Sequence, residues 1–350
     1  MKINIKKIIQ AILFLAVGVT LLYIVYRVND KNYQAQCVQD NIPAEECDLL
    51  QKLFTDFQTV DWWWMIPIFA CFMMSNISRA IRWRMLIEPL GKKPSMFNMF
   101  FSIMLSYFAN MGFPRIGEFV RAGVIAKYED LPVEKVMGTV ILDRIADLIV
   151  FLLLCGTVAI FQWDNVMSML SGGEEVQIGG LGTKVIILGA LVIVGILVLR
   201  FIIKSTSKNK IIVKIQKIIL GFWDGIKTIS EIKRVGWFIF HSLMIWIMFF
   251  LMTYMGFNVF EPTKGLSLEA GLTVFVFGAL GFVIPSPGGM GTYHFFIGEA
   301  LKLYGVPAAD GFSFANILFF ALQIGCNATL GIVALILLPI VNKQKRAKSA

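Results

Sequence analysis

Residues 110–121 read Asn110-Met111-Gly112-Phe113-Pro114-Arg115-Ile116-Gly117-Glu118-Phe119-Val120-Arg121, setting three charges into a stretch that is otherwise largely apolar. Proline lacks an N–H and suits the first helical position, and Gly112 and Asn110 just before it continue a helix poorly. The stretch predicts a helix broken near Gly112 and restarted at Pro114, on which Arg115, Glu118 and Arg121, spaced i, i+3, i+6, share a face. A half-helix that starts inside a membrane leaves backbone N–H groups free and presents the positive end of its dipole. With two arginines on the same turns, that is a site for an anion such as a lipid phosphate. The plain alternative is a cytoplasmic loop with ordinary surface charges.

Composition decides the setting. Of 350 residues, 57% are hydrophobic and 16% charged, and the mean hydropathy is +0.73, far from the soluble range and fitting a polytopic membrane protein. The net charge of +9 does not point to nucleic acid, because the basic residues fall in short clusters between apolar runs, as in cytoplasmic membrane loops. Ile8 to Val28 follows a basic start, is long enough to span, and has no small-residue cleavage site after it, so it reads as a retained first helix.

Taken in order, loop charges alternate. Residues 29–61 carry seven acids against Lys31 and Lys52 and are placed outside; Trp62-Trp63-Trp64 anchors a second span that ends in the inside cluster Arg79, Arg82, Arg84, Lys92 and Lys93. Residues 96–131 are predicted as a re-entrant hairpin entered from the cytoplasm, and Val136 to Phe161 runs outward. Residues 162–182 form an outer loop, 183–203 cross back, and 204–236 form a basic amphipathic segment on the inner leaflet. Trp237 to Phe257 crosses outward again. A second hairpin, 268–304, is entered from outside and is broken at Pro285-Ser286-Pro287-Gly288-Gly289-Met290-Gly291. Phe312 to Leu338 returns inward to a basic tail, 341–350.

The predicted fold class is therefore all-α and polytopic: an inverted repeat of two helical halves, 1–161 and 183–340, each with a broken re-entrant hairpin. Gly/Pro-interrupted segments at corresponding places in two inverted halves point to a transporter binding site near mid-membrane. Cys71, Cys155 and Cys326 lie in apolar spans and read as core residues; Cys37 and Cys47 share one polar loop and, with that loop outside, are candidates for a disulfide.

A charge near the bilayer centre costs about 2.5–3.5 kcal/mol, so such residues are expected to face inward and pair. Asp143 and Asp147 are i, i+4, and with Arg144, Arg115, Glu118 and Arg121 they read as one network. Adding Arg79 and Arg82 leaves cations in excess, which an anionic substrate would balance. A purely structural ion-pair network is the alternative. In the second half Pro287, Gly288, Gly289 and Gly291 permit close backbone approach, and the helix after them offers free N–H groups. Asn316, Gln323 and Asn327 fall on one stripe of the last span.

His294, beside the glycine break, and His241 are the only histidines, and two isolated histidines suggest no metal site. No cofactor is expected. Enzymes fare poorly: Ser286 between prolines lacks the Gly-x-Ser-Gly element of a rhomboid-type protease, no Gly-x-Gly-Asp partner exists for an aspartyl intramembrane protease, and Glu45, Glu46 and Asp48 suit a glycosyltransferase by composition alone.

The arrangement Arg79-x-x-Arg82-Trp83, Pro114-Arg115-x-Gly117-Glu118-x-x-Arg121, Asp143-Arg144-x-x-Asp147 and Pro285-x-Pro287-Gly288-Gly289-x-Gly291 resembles the lysylphosphatidylglycerol synthase transmembrane (flippase-like) family, also labelled UPF0104. The resemblance covers nearly the whole chain in order and implies a multi-pass lipid flippase domain, whose best-known relatives move aminoacylated phosphatidylglycerol between leaflets. The chain departs from that pattern in two ways. Ending at Ala350, it lacks the soluble aminoacyltransferase domain and is not expected to make that lipid; and His294 stands where the family often has glutamate three residues after the last glycine. An aminoacyl-lipid, another phospholipid, a polyprenyl-phosphate carrier and a hopanoid-like lipid all remain open as substrate.

The expectation is a transporter, not an enzyme, moving an anionic lipid across a bacterial cytoplasmic membrane, with both termini cytoplasmic. An ion or small-solute transporter is the second reading and a membrane-bound lipid-modifying enzyme the third. The partners are membrane lipids, not nucleic acid, and the oligomeric state is open.

Overall fold

Tryptophan and aspartate set the start of the second span. Asp61 accepts a hydrogen bond from the Trp63 N–H at 3.2 Å and so caps the 3₁₀ turn Trp62–Trp64, which leads into α3 (Met65–Ile87). The computed structural model describes residues 5–39, 42–43, 47–113, 115–163 and 232–349, together with isolated positions between 183 and 220. These residues are helical with no strand. Four stretches among them are long and apolar enough to cross a bilayer: Trp62–Leu90, Val133–Phe161, Val235–Val259 and Ala308–Lys343. Their outward faces stay apolar, as lipid contact requires; Leu152 and Leu153 are 57% and 66% exposed.

Before α3 come α1 (Ile5–Gln39) and α2 (Leu49–Gln58). α1 runs well past the predicted end of the first span, so much of the acidic stretch expected as a loop is helical. Asp48 caps α2 by accepting from the Leu50 N–H at 2.8 Å. Leu49 packs with Ala309 and Phe312, and Lys52 pairs with Asp56 at 2.8 Å and Asp310 at 2.7 Å, docking α2 onto a later helix. Cys37 and Cys47 form a disulfide, Cα atoms 6.3 Å apart, joining the end of α1 to the approach to α2.

The first hairpin is α4 (Met96–Gly112) and α5 (Ile116–Glu129), followed by α6 (Val133–Phe161). α7 (Val235–Gly256) lies against α3. The second hairpin is α8 (Leu268–Val283) and α9 (Thr292–Lys302). The last span is α10 (Ala308–Phe319), a π-helical stretch (Phe320–Ala328) and α11 (Thr329–Ser349). The hairpin arms have 17, 14, 16 and 11 residues. At 1.5 Å per residue they reach about 16–26 Å, against a hydrocarbon core of ~30 Å.

The two interruptions meet. A Cβ added at Gly288 would lie 3.7 Å from the Met111 Cα, so the tip of the second hairpin rests on the end of α4. Close packing holds the first hairpin shut: a Cβ on Gly117 would stand 2.2 Å from the Ser106 carbonyl oxygen, and the Gly117 N–H donates to Asn110 Oδ1 at 2.7 Å. Pro114, most of the outer loop 162–182, most of the span 183–203 and most of the basic segment 204–236 lie outside the described residues.

Candidate functional site

Where a helix was expected to restart at Pro114, α5 begins at Ile116 and Arg115 occupies its cap with φ 63°, a left-handed conformation uncommon for a side-chain-bearing residue. The left-handed cap takes Arg115 out of the helix proper, yet Arg115 and Glu118 reach one cavity while Arg121 does not. Arg115 is exposed, and no carboxylate among the described residues pairs with it; Arg121 is 1% exposed.

Behind this cap the charges form two layers. In the inner layer Arg82 bonds Asp143 Oδ1 at 2.6 Å and Asp147 Oδ1 at 2.8 Å, and Arg121 bonds Asp143 Oδ2 at 3.1 Å. The Arg121 guanidinium lies 4.7 Å from the ring centre of Trp83, whose indole N–H donates to Thr139 Oγ1 at 3.0 Å. In the outer layer Arg79 donates to Asp147 Oδ2 at 2.6 Å, while Arg144 pairs with Glu118 at 3.2 Å and Asp147 at 3.6 Å. Burying these ions is affordable only because each carboxylate meets at least one guanidinium.

The outer layer forms one wall of a cavity of about 520 Å³ beneath the meeting hairpin tips, lined there by Arg79, Arg115, Glu118, Arg144 and Asp147. Trp246, Phe249, Phe275 and Phe282 form an apolar wall, and Ser286, Gly288 and Gly289 contribute hairpin backbone. Asn76 on α3 and Gln323 and Asn327 on the π-helical stretch add neutral polar groups. Four arginines in the two layers, Arg79, Arg82, Arg121 and Arg144, with the unpaired Arg115 in front of them, stand against three carboxylates, Glu118, Asp143 and Asp147, leaving two positive charges in excess among the described residues.

The structure thus brings Arg79, Arg115, Glu118, Arg144, Asp147, Gly288 and Gly289 to one cavity. Arg82, Arg121 and Asp143 stand behind its wall as the ion-paired inner layer. Pro287 is buried in the hairpin tip. Gly291, at φ 80°, packs on α1, where a Cβ would stand 2.7 Å from the Leu22 backbone nitrogen. His294 is 1% exposed among aromatic rings, its own ring centre 4.8 Å from that of Phe319. Of the polar stripe on the last span, Gln323 donates to the Gly288 carbonyl at 2.7 Å and Asn327 to Gln323 Oε1 at 2.6 Å, whereas Asn316 donates to the Phe312 carbonyl of its own helix. Asn76 was missed from the sequence, although its place one turn before Arg79 in an apolar span was a usable signal.

The profile of the lysylphosphatidylglycerol synthase TM region matches residues 49–341. A UPF0104 membrane protein of Methanocaldococcus jannaschii is 24% identical over 220 residues, which is 55% of this chain and 62% of that relative, so the match spans less than two thirds of the relative's length. No solved structure matches the chain significantly. With the profile covering most of its length and the conjoined hairpins carrying the motif residues, this chain belongs to the family of the lysylphosphatidylglycerol synthase transmembrane region.

Proposed function

We propose that the protein carries an anionic lipid between the leaflets of a bacterial cytoplasmic membrane without covalent chemistry, its hairpins entering the bilayer from opposite faces and both termini lying in the cytoplasm. The carrying observation is the mixed lining of the cavity, where Arg79, Arg115 and Arg144 meet Trp246, Phe249, Phe275 and Phe282. Guanidinium groups in excess suit a phosphate, and the aromatic wall suits the start of an acyl chain, which a small soluble anion does not need. Membership in a family named for a phospholipid synthase supports a lipid as cargo.

The test is leaflet exchange of labelled phosphatidylglycerol in proteoliposomes. Exchange well above that of protein-free vesicles is expected. Arg115→Ala should lower it about tenfold or more while leaving the folded yield unchanged, and Arg115→Lys should recover only part, because an ammonium lacks the bidentate fork. Exchange no faster than in empty vesicles would overturn the transport reading.

A further inference from the structure

Asp147 meets three guanidinium groups with two oxygens. Oδ1 accepts from Arg82 at 2.8 Å and Oδ2 from Arg79 at 2.6 Å, which leaves Arg144 a longer approach to Oδ2 of 3.6 Å, beyond ordinary hydrogen-bond length. The other anion beside Arg144 is Glu118, at 3.2 Å, and the Arg144 Nε is buried without a hydrogen-bond partner. Of the four ion-paired arginines Arg144 is the most loosely held. Its side chain is also the most open, 38% exposed where those of Arg79, Arg82 and Arg121 are 4% or less, and it lines the cavity.

The two buried aspartates of α6 differ in a way that packing alone does not require. The Asp143 side chain has no exposed surface and is the only carboxylate that pairs with Arg121 among the described residues. The Asp147 side chain is 12% exposed, lines the cavity and is the sole partner of no arginine. Without it Arg82 would keep Asp143 at 2.6 Å, Arg79 would have Asp143 at 3.8 Å, and Arg144 would keep Glu118 at 3.2 Å. The fold can spare Asp147. What its charge does is hold Arg144 one turn away on the same helix, and the guanidinium fork that a carboxylate occupies is the fork that a phosphate needs. A site that only attracted anions would keep them; transport requires binding weak enough to let the cargo leave.

We infer that Asp147 is an internal competitor for the cargo's anion: it holds Arg144 while the cavity is empty, yields it when the anion enters, and takes it back on release. This rests on the reading of the cavity as an anionic-lipid site. Asp147 is a positioning residue, acting through Arg144.

The test pairs equilibrium binding of a fluorescent phosphatidylglycerol to the detergent-solubilised full-length protein with leaflet exchange of the same lipid in proteoliposomes, for wild type, Asp147→Asn and the smaller Asp147→Ser. Removing the competing charge should lower the lipid concentration for half-saturation about tenfold and slow exchange at saturating lipid, whereas structural damage would weaken binding and exchange together. Adding Arg144→Gln to Asp147→Asn should abolish the gain in affinity. Binding that is unchanged or weaker in a folded neutral variant would overturn the inference, as would a gain that survives Arg144→Gln. Failure of both neutral variants to fold would overturn it too, by making Asp147 a structural counter-ion. Wild-type protein that neither binds nor exchanges the lipid would instead overturn the lipid reading, and the inference with it.

Discussion

Gln323 donates its side-chain Nε2 to the backbone oxygen of Gly288 across 2.7 Å, tying the tip of the second hairpin to the last span. It does so from a nine-residue π-helical stretch, a wide-turned form that recurs at functional sites and alters which residues of a helix point together. The Gly288 backbone, at φ 58°, has left the helical ladder and takes its donor from this side chain.

Gln323→Leu keeps the bulk and removes the donor, which costs about 1–3 kcal/mol for a buried carbonyl. A lower melting temperature is expected, together with faster thiol labelling of a cysteine introduced at Met290 beside the tip. Labelling as slow as in the Gln323 parent would mean that the hairpin backbone alone holds the tip.

Asp143 is fully buried and faces Arg82 at 2.6 Å, Arg121 at 3.1 Å and Arg79 at 3.8 Å. Asp143→Asn leaves Arg121 without a carboxylate partner and should cost about 3–5 kcal/mol, read as a collapse in monodisperse yield. Adding Arg121→Met should recover part of that yield, since it removes the stranded cation; no recovery would show that Trp83 and the remaining partners already satisfy Arg121.

Two glycines of α5 separate packing from conformation. Gly117→Ala places a methyl 2.2 Å from the Ser106 carbonyl oxygen, so the hairpin must open, at about 1–3 kcal/mol or more. At Gly123 a Cβ meets nothing within 4 Å, and Gly123→Ala should be neutral or stabilising by about 0.4–1 kcal/mol. Melting curves of the two purified variants decide; equal melting temperatures would mean the tight contact at Gly117 relaxes freely.

Burial alone would lower the Lys52 pKa, but hydrogen bonds to Asp310 and Asp56 outweigh it and raise the value above the ordinary 10.5. A raised lysine adds stability that is whole below pH 10.5 and is lost as pH climbs through the folded value. Protection of the α2 amides, measured relative to their base-catalysed intrinsic exchange rate, should therefore fall only on the alkaline side of that range, and Lys52→Met should flatten that fall. Equal pH dependence in both proteins would show that another group controls the docking of α2.

Much of the fold was legible because two signals were strong: apolar runs of spanning length, and Gly/Pro clusters that no continuous helix tolerates. The site was legible in its residue types but not in its layering. Helical spacing says which of Glu118, Arg121, Asp143 and Asp147 share a face, not whether that face meets a cavity or a packed neighbour, and Trp83 decides this for Arg121. The left-handed cap at Arg115 could not be read from an arginine. The spacing of Asn316, Gln323 and Asn327 assumed 3.6 residues per turn; the π-helical stretch breaks that period, so Gln323 and Asn327 reach the cavity and Asn316 does not.

The arginine layers end on α3, α5 and α6. Toward α7 they send one neutral bond, Arg82 Nη1 to Ser242 Oγ at 3.3 Å, and two aromatic faces, Phe238 and Phe249, each 5.8 Å from a guanidinium. The α3–α7 seam is therefore apolar rather than ionic among the described residues. Apolar burial is non-directional, whereas an ion pair loses its geometry once displaced. The charged cluster acts as a stator shared by α3, α5 and α6, and α7 is clamped to it by close-packed apolar side chains.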